Sequence, residues 1–99
     1  MSPQVAVDRR QLADFCRKHH IRRLAFFGSV LREDFRPDSD VDVLVEFEPG
    51  HRVGLAFFQM QEELSQIFKR RVDLNTPAFL SRYFRDEVMR EAQEQYVQT

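Results

Sequence analysis

The chain is predicted to be a small α/β protein, and its apolar pattern and composition support this class. Segments with apolar residues at helical spacing alternate with short apolar runs that are typical of strands. Apolar residues make up 42% of the 99 residues and include ten phenylalanines, which is enough for one core. Because a chain of this length forms one compact unit, residues 1–99 are predicted to be a single domain.

The N-terminal half is predicted to contain a helix, a strand, a short helix and a second strand. Asp8 can cap the first helix, and Gln11 three residues later completes a weaker capping box. Leu12, Phe15 and Cys16 form the apolar stripe of this helix and are predicted core residues. In chain order, the helix ends near residues 19–20, the first strand covers 22–27, the short helix starts at 30–32 and the second strand covers 41–47.

The C-terminal half is predicted to contain a long helix, a short strand and a last helical region. Thr76 and Pro77 are suitable as the N-cap and first residue of that last region. Tyr96 and Val97 form either a short terminal strand or a frayed end. The predicted bounds are a break at 48–50, a helix over 54–68, a strand over 72–74 and helical structure up to about residue 95.

Two carboxylates share one face of the second predicted strand. Residues i and i+2 of a strand point to the same side, about 6.5–7 Å apart, so Asp40 and Asp42 share a face while Val41 and Val43 turn to the core. Adjacent carboxylates repel each other, and a divalent cation such as Mg²⁺ or Mn²⁺ relieves that repulsion. The pair predicts a metal site. The alternatives are solvated acids at a strand start or an Asx-type turn over residues 37–39.

A small turn, Gly28-Ser29, is separated by ten residues from the first of these acids, Asp40. Glycine lets the backbone approach a phosphate, free N–H groups at a helix start attract anions, and the serine hydroxyl adds a donor. Alone, Gly-Ser is an ordinary turn, and the chain contains no Walker A loop. The spacing between turn and acids is what favours a phosphate-binding role.

This combination resembles the signature of the DNA polymerase β-like nucleotidyltransferases. More narrowly, it is similar to the minimal nucleotidyltransferase (MNT) group, whose members occur as antitoxins beside HEPN-domain toxins. The segment that carries the resemblance runs from Phe26 to Phe47 and reads F-F-G-S-V-L-R-E-D-F-R-P-D-S-D-V-D-V-L-V-E-F. The resemblance implies a small mixed sheet with helices packed mainly on one side. One departure is Glu33, where many relatives have a glycine.

A third carboxylate is expected in such a site, and Asp73 is the candidate. Val72 and Leu74 flank it, so a short strand turns them inward and Asp73 to the opposite face. The same alternation is found in any half-buried edge strand. The resemblance favours the catalytic interpretation, because MNT-like chains carry a third acid on a V-D-L strand.

The resemblance further implies an enzyme that transfers AMP from ATP to a hydroxyl, with two Mg²⁺ ions as cofactors. By this resemblance the acceptor is a tyrosine of a partner HEPN toxin, and that second chain completes the site in a hetero-oligomer. For Arg32, whose charge could contact the triphosphate, the alternative is an exposed surface role. The implied catalytic and metal-binding residues are Asp40, Asp42 and Asp73, and the implied nucleotide-binding residues are Gly28, Ser29 and Arg32.

Other functions stay open at the level of the sequence. A binding antitoxin would cover its partner without catalysis, using exposed aromatic residues, although their helical spacing also suits core packing. Nucleotidyl transfer to a small molecule or an RNA end is a third possibility. The aromatic candidates for such an interface are Phe57, Phe58, Tyr83 and Phe84.

Composition excludes several classes of function. With 15 basic and 16 acidic residues the net charge is −1, which argues against a general nucleic-acid binder. The single cysteine excludes an internal disulfide, and the three histidines lack zinc-site spacing and are predicted to be surface or cap residues. No signal peptide or transmembrane pattern is present, so no membrane partner is expected and the location is predicted to be cytoplasmic.

Overall fold

The structure, a computed structural model, describes residues 7–32, 36, 39–51 and 53–98. The expectations that concern Glu33 and the turn over residues 37–39 fall wholly or partly outside these ranges. Short 3₁₀ turns cover Gly28–Leu31 and Pro77–Phe79. The helices and strands are α1 Arg9–Lys18, β1 Ile21–Phe27, β2 Val41–Phe47, α2 Ala56–Phe68, β3 Val72–Asn75, α3 Arg85–Glu91 and β4 Gln93–Val97.

The strands form one mixed sheet in the order β3-β2-β1-β4. Strand β1 is antiparallel to both β2 and β4, whereas β2 and β3 are parallel and are connected through α2. Helices α1 and α2 pack on the same face of the sheet and share one core with it. The predicted fold class, a small mixed sheet with helices mainly on one side, is confirmed.

The core between the sheet and the two long helices contains the predicted apolar faces. The stripe of α1 is buried, and Asp8 accepts hydrogen bonds from the backbone N–H groups of Arg10 and Gln11 as its N-cap. The rings of Phe26 in β1 and Phe68 in α2 meet edge to face at 5.4 Å between centroids. The other core residues from the predicted faces are Leu12, Phe15, Cys16, Val41, Val43, Val45, Met60, Leu64, Val72 and Leu74.

The opposite face of the sheet carries a smaller apolar patch and a charged network. Ala25 and Leu44 are paired across β1 and β2, and both are buried, as is Leu80 after the second 3₁₀ turn. Arg23 Nη1 donates to Glu46 Oε2 at 2.8 Å, and its Nε donates to Glu94 Oε1 at 2.9 Å. This arginine therefore joins three strands.

The prediction for the C-terminal region is wrong in part. Helical structure does not extend to about residue 95, because α3 ends at Glu91 and a strand begins at Gln93. Pairing with β1 satisfies backbone groups that an edge strand would leave open, and Tyr96 packs against the core. The strand alternative for Tyr96 and Val97 is confirmed, with an earlier start.

Two smaller differences concern helix starts. Thr76 and Pro77 begin a 3₁₀ turn instead of an α-helix, and the Thr76 side chain makes no capping hydrogen bond. Helix α2 begins at Ala56, after Gly54 adopts a positive φ of 60°. Across the described residues, no helix has the length and apolar character required to cross a membrane.

Candidate active site

Two of the predicted acids lie side by side on neighbouring strands. The parallel register of β2 and β3 pairs Asp42 with Asp73, and adjacent strands lie about 4.8 Å apart. Partners in register turn to the same face, which here is opposite to the valines of the core. The long-range pairing of two strands brings together carboxylates that are 31 positions apart in the sequence.

Asp42 is the most perturbed of these groups. Its pKa is raised from 3.8 to about 6, first by burial and then by the charge of Asp73, with a smaller contribution from Asp40. A hydrogen bond from the backbone N–H of Ser29 and the charge of Arg32 act in the opposite direction. The repulsion that the sequence predicts between the acids is therefore present in the fold.

Asp40 stands at the entrance to β2. It directly precedes the first residue of the strand, and its side chain is 45% exposed. Its Oδ1 lies 3.7 Å from Arg71 Nη1, a long and solvent-exposed ion pair that contributes little energy. The pair leaves the carboxylate available to a stronger cation.

The acids fit a hard divalent cation by their chemistry. They are all-oxygen ligands, and the half-buried carboxylate at their centre is destabilised by its neighbours. Within the part of the chain that the structure describes, no three side chains of His, Cys, Asp or Glu already form a complete ligand set. A metal would therefore be held through the adjacent pair Asp42 and Asp73, with Asp40 drawn from its pairing with Arg71.

The glycine-serine turn is in contact with the acids. Phe27, the last residue of β1, is paired with Asp42, so Gly28 follows directly beside that carboxylate. Gly28 has a φ of +73°, and a Cβ at this position would collide with Asp42 Oδ2. Only glycine combines a favourable positive φ with the absence of a Cβ. The ten-residue spacing seen in the sequence is closed by the antiparallel pairing of β1 and β2.

Arg32 ends the turn that begins at Gly28. Its backbone N–H donates to the carbonyl of Ser29 at 3.0 Å, and its charge acts on Asp42. With Gly28 and Leu31 it lines an open cavity of about 320 Å³ whose other wall is Glu91 and Gln93. Two of the predicted nucleotide-binding residues, Gly28 and Arg32, therefore line a cavity and lie close to Asp42.

Sequence reasoning missed two residues that hold the third acid in place. Strand β3 is an edge strand, and its outward N–H groups need partners. The N–H of Val72 donates to Ser65 Oγ at 3.0 Å, and that of Leu74 donates to Gln61 Oε1 at 2.9 Å. The available signal was two polar residues four positions apart on the inner side of α2.

The histidines lie at the start of β1, away from the acids. His19 is the C-cap of α1, and its ring packs on Phe15 at 4.6 Å. The rings of His20 and His51 are 4.5 Å apart. The prediction of cap and surface roles agrees with these positions.

Comparison with known proteins identifies the class of this site. The profile of the nucleotidyltransferase domain family matches residues 9–95, a range that includes both acid-bearing strands and the glycine-serine turn. The chain belongs to the nucleotidyltransferase domain family and is an enzyme of that class.

The names of two relatives are more specific than the family description. Protein adenylyltransferase MntA of Thermococcus cleftensis is 37% identical over 71 residues, which cover 72% of this chain and 71% of the relative. A Methanocaldococcus jannaschii protein, MJ0435, whose name assigns it provisionally as a protein adenylyltransferase, is 30% identical over 84 residues, or 85% and 89% of the two chains. The chain is thus similar to MntA-type minimal nucleotidyltransferases.

Solved structures agree with this class. One described as a minimal nucleotidyltransferase is 36% identical, covers 85% of each chain and has a TM-score of 0.70. A toxin-antitoxin structure with AMP-PNP has a TM-score of 0.72 at 16% identity, covering 94% of this chain and 76% of its own. A complex of a tri-AMPylated Shewanella oneidensis HEPN toxin with an MNT antitoxin has a TM-score of 0.64 at 16% identity, covering 91% and 70%. The last two share the fold of this chain.

Proposed function

We propose that this protein transfers AMP from ATP to a tyrosine hydroxyl of a HEPN-domain partner and thereby silences that partner. The observation that carries the proposal is the pairing of Asp42 with Asp73 directly beside the glycine-serine turn. Relatives named protein adenylyltransferase support the reaction, and the structural neighbours with AMP-PNP and with an AMPylated HEPN toxin support ATP and the partner.

The residues of the turn would hold the triphosphate. Gly28 has no side chain, so the phosphates can approach the backbone beside Asp42. The Ser29 hydroxyl adds a donor, and Arg32 adds positive charge at the end of the turn. These contacts would fix the α-phosphorus near the carboxylates and neutralise charge on the leaving group.

The acids would serve the transfer itself. Asp40, Asp42 and Asp73 would hold Mg²⁺, which supplies charge neutralisation at the phosphates and lowers the pKa of the acceptor hydroxyl. The hydroxyl oxygen forms a bond to the α-phosphorus while the bond between that phosphorus and the bridging oxygen of the β-phosphate breaks. Pyrophosphate leaves with that oxygen, and the hydroxyl proton passes to Asp73, the exposed member of the pair.

The direct test is the mass of the partner. The purified protein is incubated with ATP, Mg²⁺ and a candidate HEPN-domain partner, and intact-mass spectrometry follows the partner. We expect mass increments of one or more AMP groups on tyrosine, together with loss of the partner's ribonuclease activity. Asp42→Asn should abolish the increment, while Asp14→Asn on the exposed side of α1 should not. A partner that stays unmodified after incubation with the folded wild-type protein would contradict the proposal.

A second candidate function is inhibition by binding alone. Exposed apolar side chains favour it, since Leu55 is 83%, Phe58 66% and Tyr83 93% exposed. Phe57, by contrast, packs against the core. The double variant Asp40→Ala with Asp42→Ala separates the two functions. If it neutralises the partner fully and the wild type adds no AMP, binding is the mechanism.

Transfer to a different acceptor is tested in the same assay. Labelled ATP is offered with small hydroxyl compounds, an RNA end or the HEPN protein. The net charge of −1 disfavours RNA as the acceptor. Label that appears only on the small molecule or the RNA would replace the proposed acceptor.

A further inference from the structure

Arg70 lies at the junction between α2 and β3, and its side chain binds residues that precede Asp40 in the sequence. Its Nη2 donates to the carbonyl oxygen of Arg36 at 2.6 Å and to that of Ser39 at 3.1 Å. These two residues also bond to each other, because Ser39 N–H donates to the Arg36 carbonyl at 3.0 Å and Arg36 N–H donates to Ser39 Oγ at 3.1 Å. The guanidinium thus binds two residues, Arg36 and Ser39, that are also bonded to each other.

Ser39 lies immediately before Asp40. On the other side of Asp40, the N–H of Val41 donates to the carbonyl of Arg71 at 2.8 Å. Asp40 is therefore enclosed between two attachments to adjacent residues of one junction, a side-chain attachment from Arg70 and a backbone attachment from Arg71. Its backbone cannot move away without breaking one of them.

The junction itself is well fixed. It leaves α2 through Lys69, which has a left-handed φ of 56°, and the N–H of Arg70 donates to the Ser65 carbonyl at 3.1 Å. Strand β3 follows at once, so this junction also sets where Asp73 lies beside Asp42. One short segment consequently governs the separation of all the proposed metal ligands.

We propose that Arg70 is a positioning residue that fixes Asp40 relative to Asp42 and Asp73 for metal binding and nucleotidyl transfer. This inference rests on the proposed function. An arginine suits the task because one nitrogen of its planar group carries two donors that reach two carbonyls, and the group stays charged at all relevant pH values. Lysine offers donors from a single flexible point and holds the two carbonyls less rigidly.

The first test uses the metal-free protein. In Arg70→Ala, hydrogen exchange of the Ser39 and Val41 amides should be about tenfold faster than in wild type, since local opening becomes easier. The matched control is Arg10→Ala, which removes an exposed arginine on α1 and should leave these amides unchanged. This readout does not depend on any activity.

The second test uses the active enzyme. Loss of a residue that orients metal ligands reduces metal affinity or activity by about 10–100-fold. We expect Arg70→Ala to need about tenfold more Mg²⁺ for half-maximal rate and to lower kcat, with KM for ATP changed less than about threefold. Arg70→Lys should recover part of the loss.

The outcomes separate this inference from the proposed function. If Arg70→Ala keeps the wild-type exchange rates, kcat and Mg²⁺ requirement while Asp42→Asn is inactive, the positioning role of Arg70 is overturned and the proposed function stands. AMP transfer that survives in Asp42→Asn would overturn the function itself. If Arg70→Ala does not fold, Arg70→Lys decides the matter: a folded Lys variant with wild-type exchange and Mg²⁺ requirement would overturn the inference.

Discussion

At the scale of single residues, Asp42 connects the parts of the site. It is half-buried, its register partner is a second carboxylate, and a glycine without room for a side chain lies against its Oδ2. Burial and repulsion raise its pKa to about 6, so the ionised form is costly in the folded, metal-free protein. An ionisable group whose pKa is raised by burial and by a specific charged neighbour, here beside a turn that lines a cavity, is typical of a functional site.

The first prediction concerns pH and stability. Because the pKa of Asp42 is higher in the folded protein than its ordinary value of 3.8, its contribution favours folding below pH 3.8 and is lost as pH rises through about 6. In EDTA, Asp42→Asn should therefore melt at a higher temperature than wild type above about pH 7, and the two should converge near pH 4. Asp14→Asn serves as the surface control. Equal melting curves of Asp42→Asn and wild type across this range would refute the repulsion.

The second prediction concerns the glycine turn. Gly28 and Gly50 both have positive φ, at 73° and 82°, but a Cβ collides with Asp42 at the first position and meets nothing within 4 Å at the second. Gly50→Ala should cost about 1–2 kcal/mol for its backbone conformation and keep activity. Gly28→Ala should cost more and abolish AMP transfer, as measured by urea unfolding and by partner mass. An active Gly28→Ala protein would show that the close approach is not needed.

At the scale of elements, the sheet edge formed by β3 determines where the third acid lies. Its hydrogen bonds on the outer side come from α2, through Ser65 Oγ and Gln61 Oε1. The Ser65 hydroxyl also donates to the Gln61 carbonyl at 2.9 Å, so the two side chains act together. Two side chains of α2 thus accept the hydrogen bonds that a further strand would otherwise accept at this edge.

The third prediction follows from this edge. Ser65→Ala and Gln61→Leu each leave a partly buried strand N–H without its partner, which costs about 1–3 kcal/mol. Gln66→Ala, on the exposed side of the same helix, should stay within about 0.5 kcal/mol of wild type. Chemical denaturation measures all three. If Ser65→Ala and Gln61→Leu lose no more stability than Gln66→Ala, water replaces these hydrogen bonds at no cost.

The elements also show how far sequence patterns reach. Helix α1 and strand β2 were predicted from a capping aspartate and from alternating valines, because those signals are local. Strand β4 was largely missed, since its residues, Q-E-Q-Y-V, lack apolar alternation and pair only because β1 offers an open edge. In the same way, no local pattern indicates that Arg70 reaches the carbonyl of Ser39, the residue before Asp40.

At the scale of the whole molecule, the topology gathers the site at one end of the sheet. The end of β1, the start of β2 and the start of β3 meet there, and they bring the glycine turn beside both paired acids. His20 and His51 lie at the opposite end, where β1 begins and β2 has ended. The acids and the turn could be predicted from spacing, whereas the contacts between them required the pairing of the strands.

The central claim is that Asp42 and Asp73 form one cation site next to the glycine-serine turn. It is tested most directly by titrating Mn²⁺ with a non-hydrolysable ATP analogue into the protein and following amide signals by NMR. We predict that the signals of Ser29, Asp42 and Asp73 broaden together, while those of His20 and His51 persist. Broadening that spares Asp73, or that starts at the histidines, would contradict the claim.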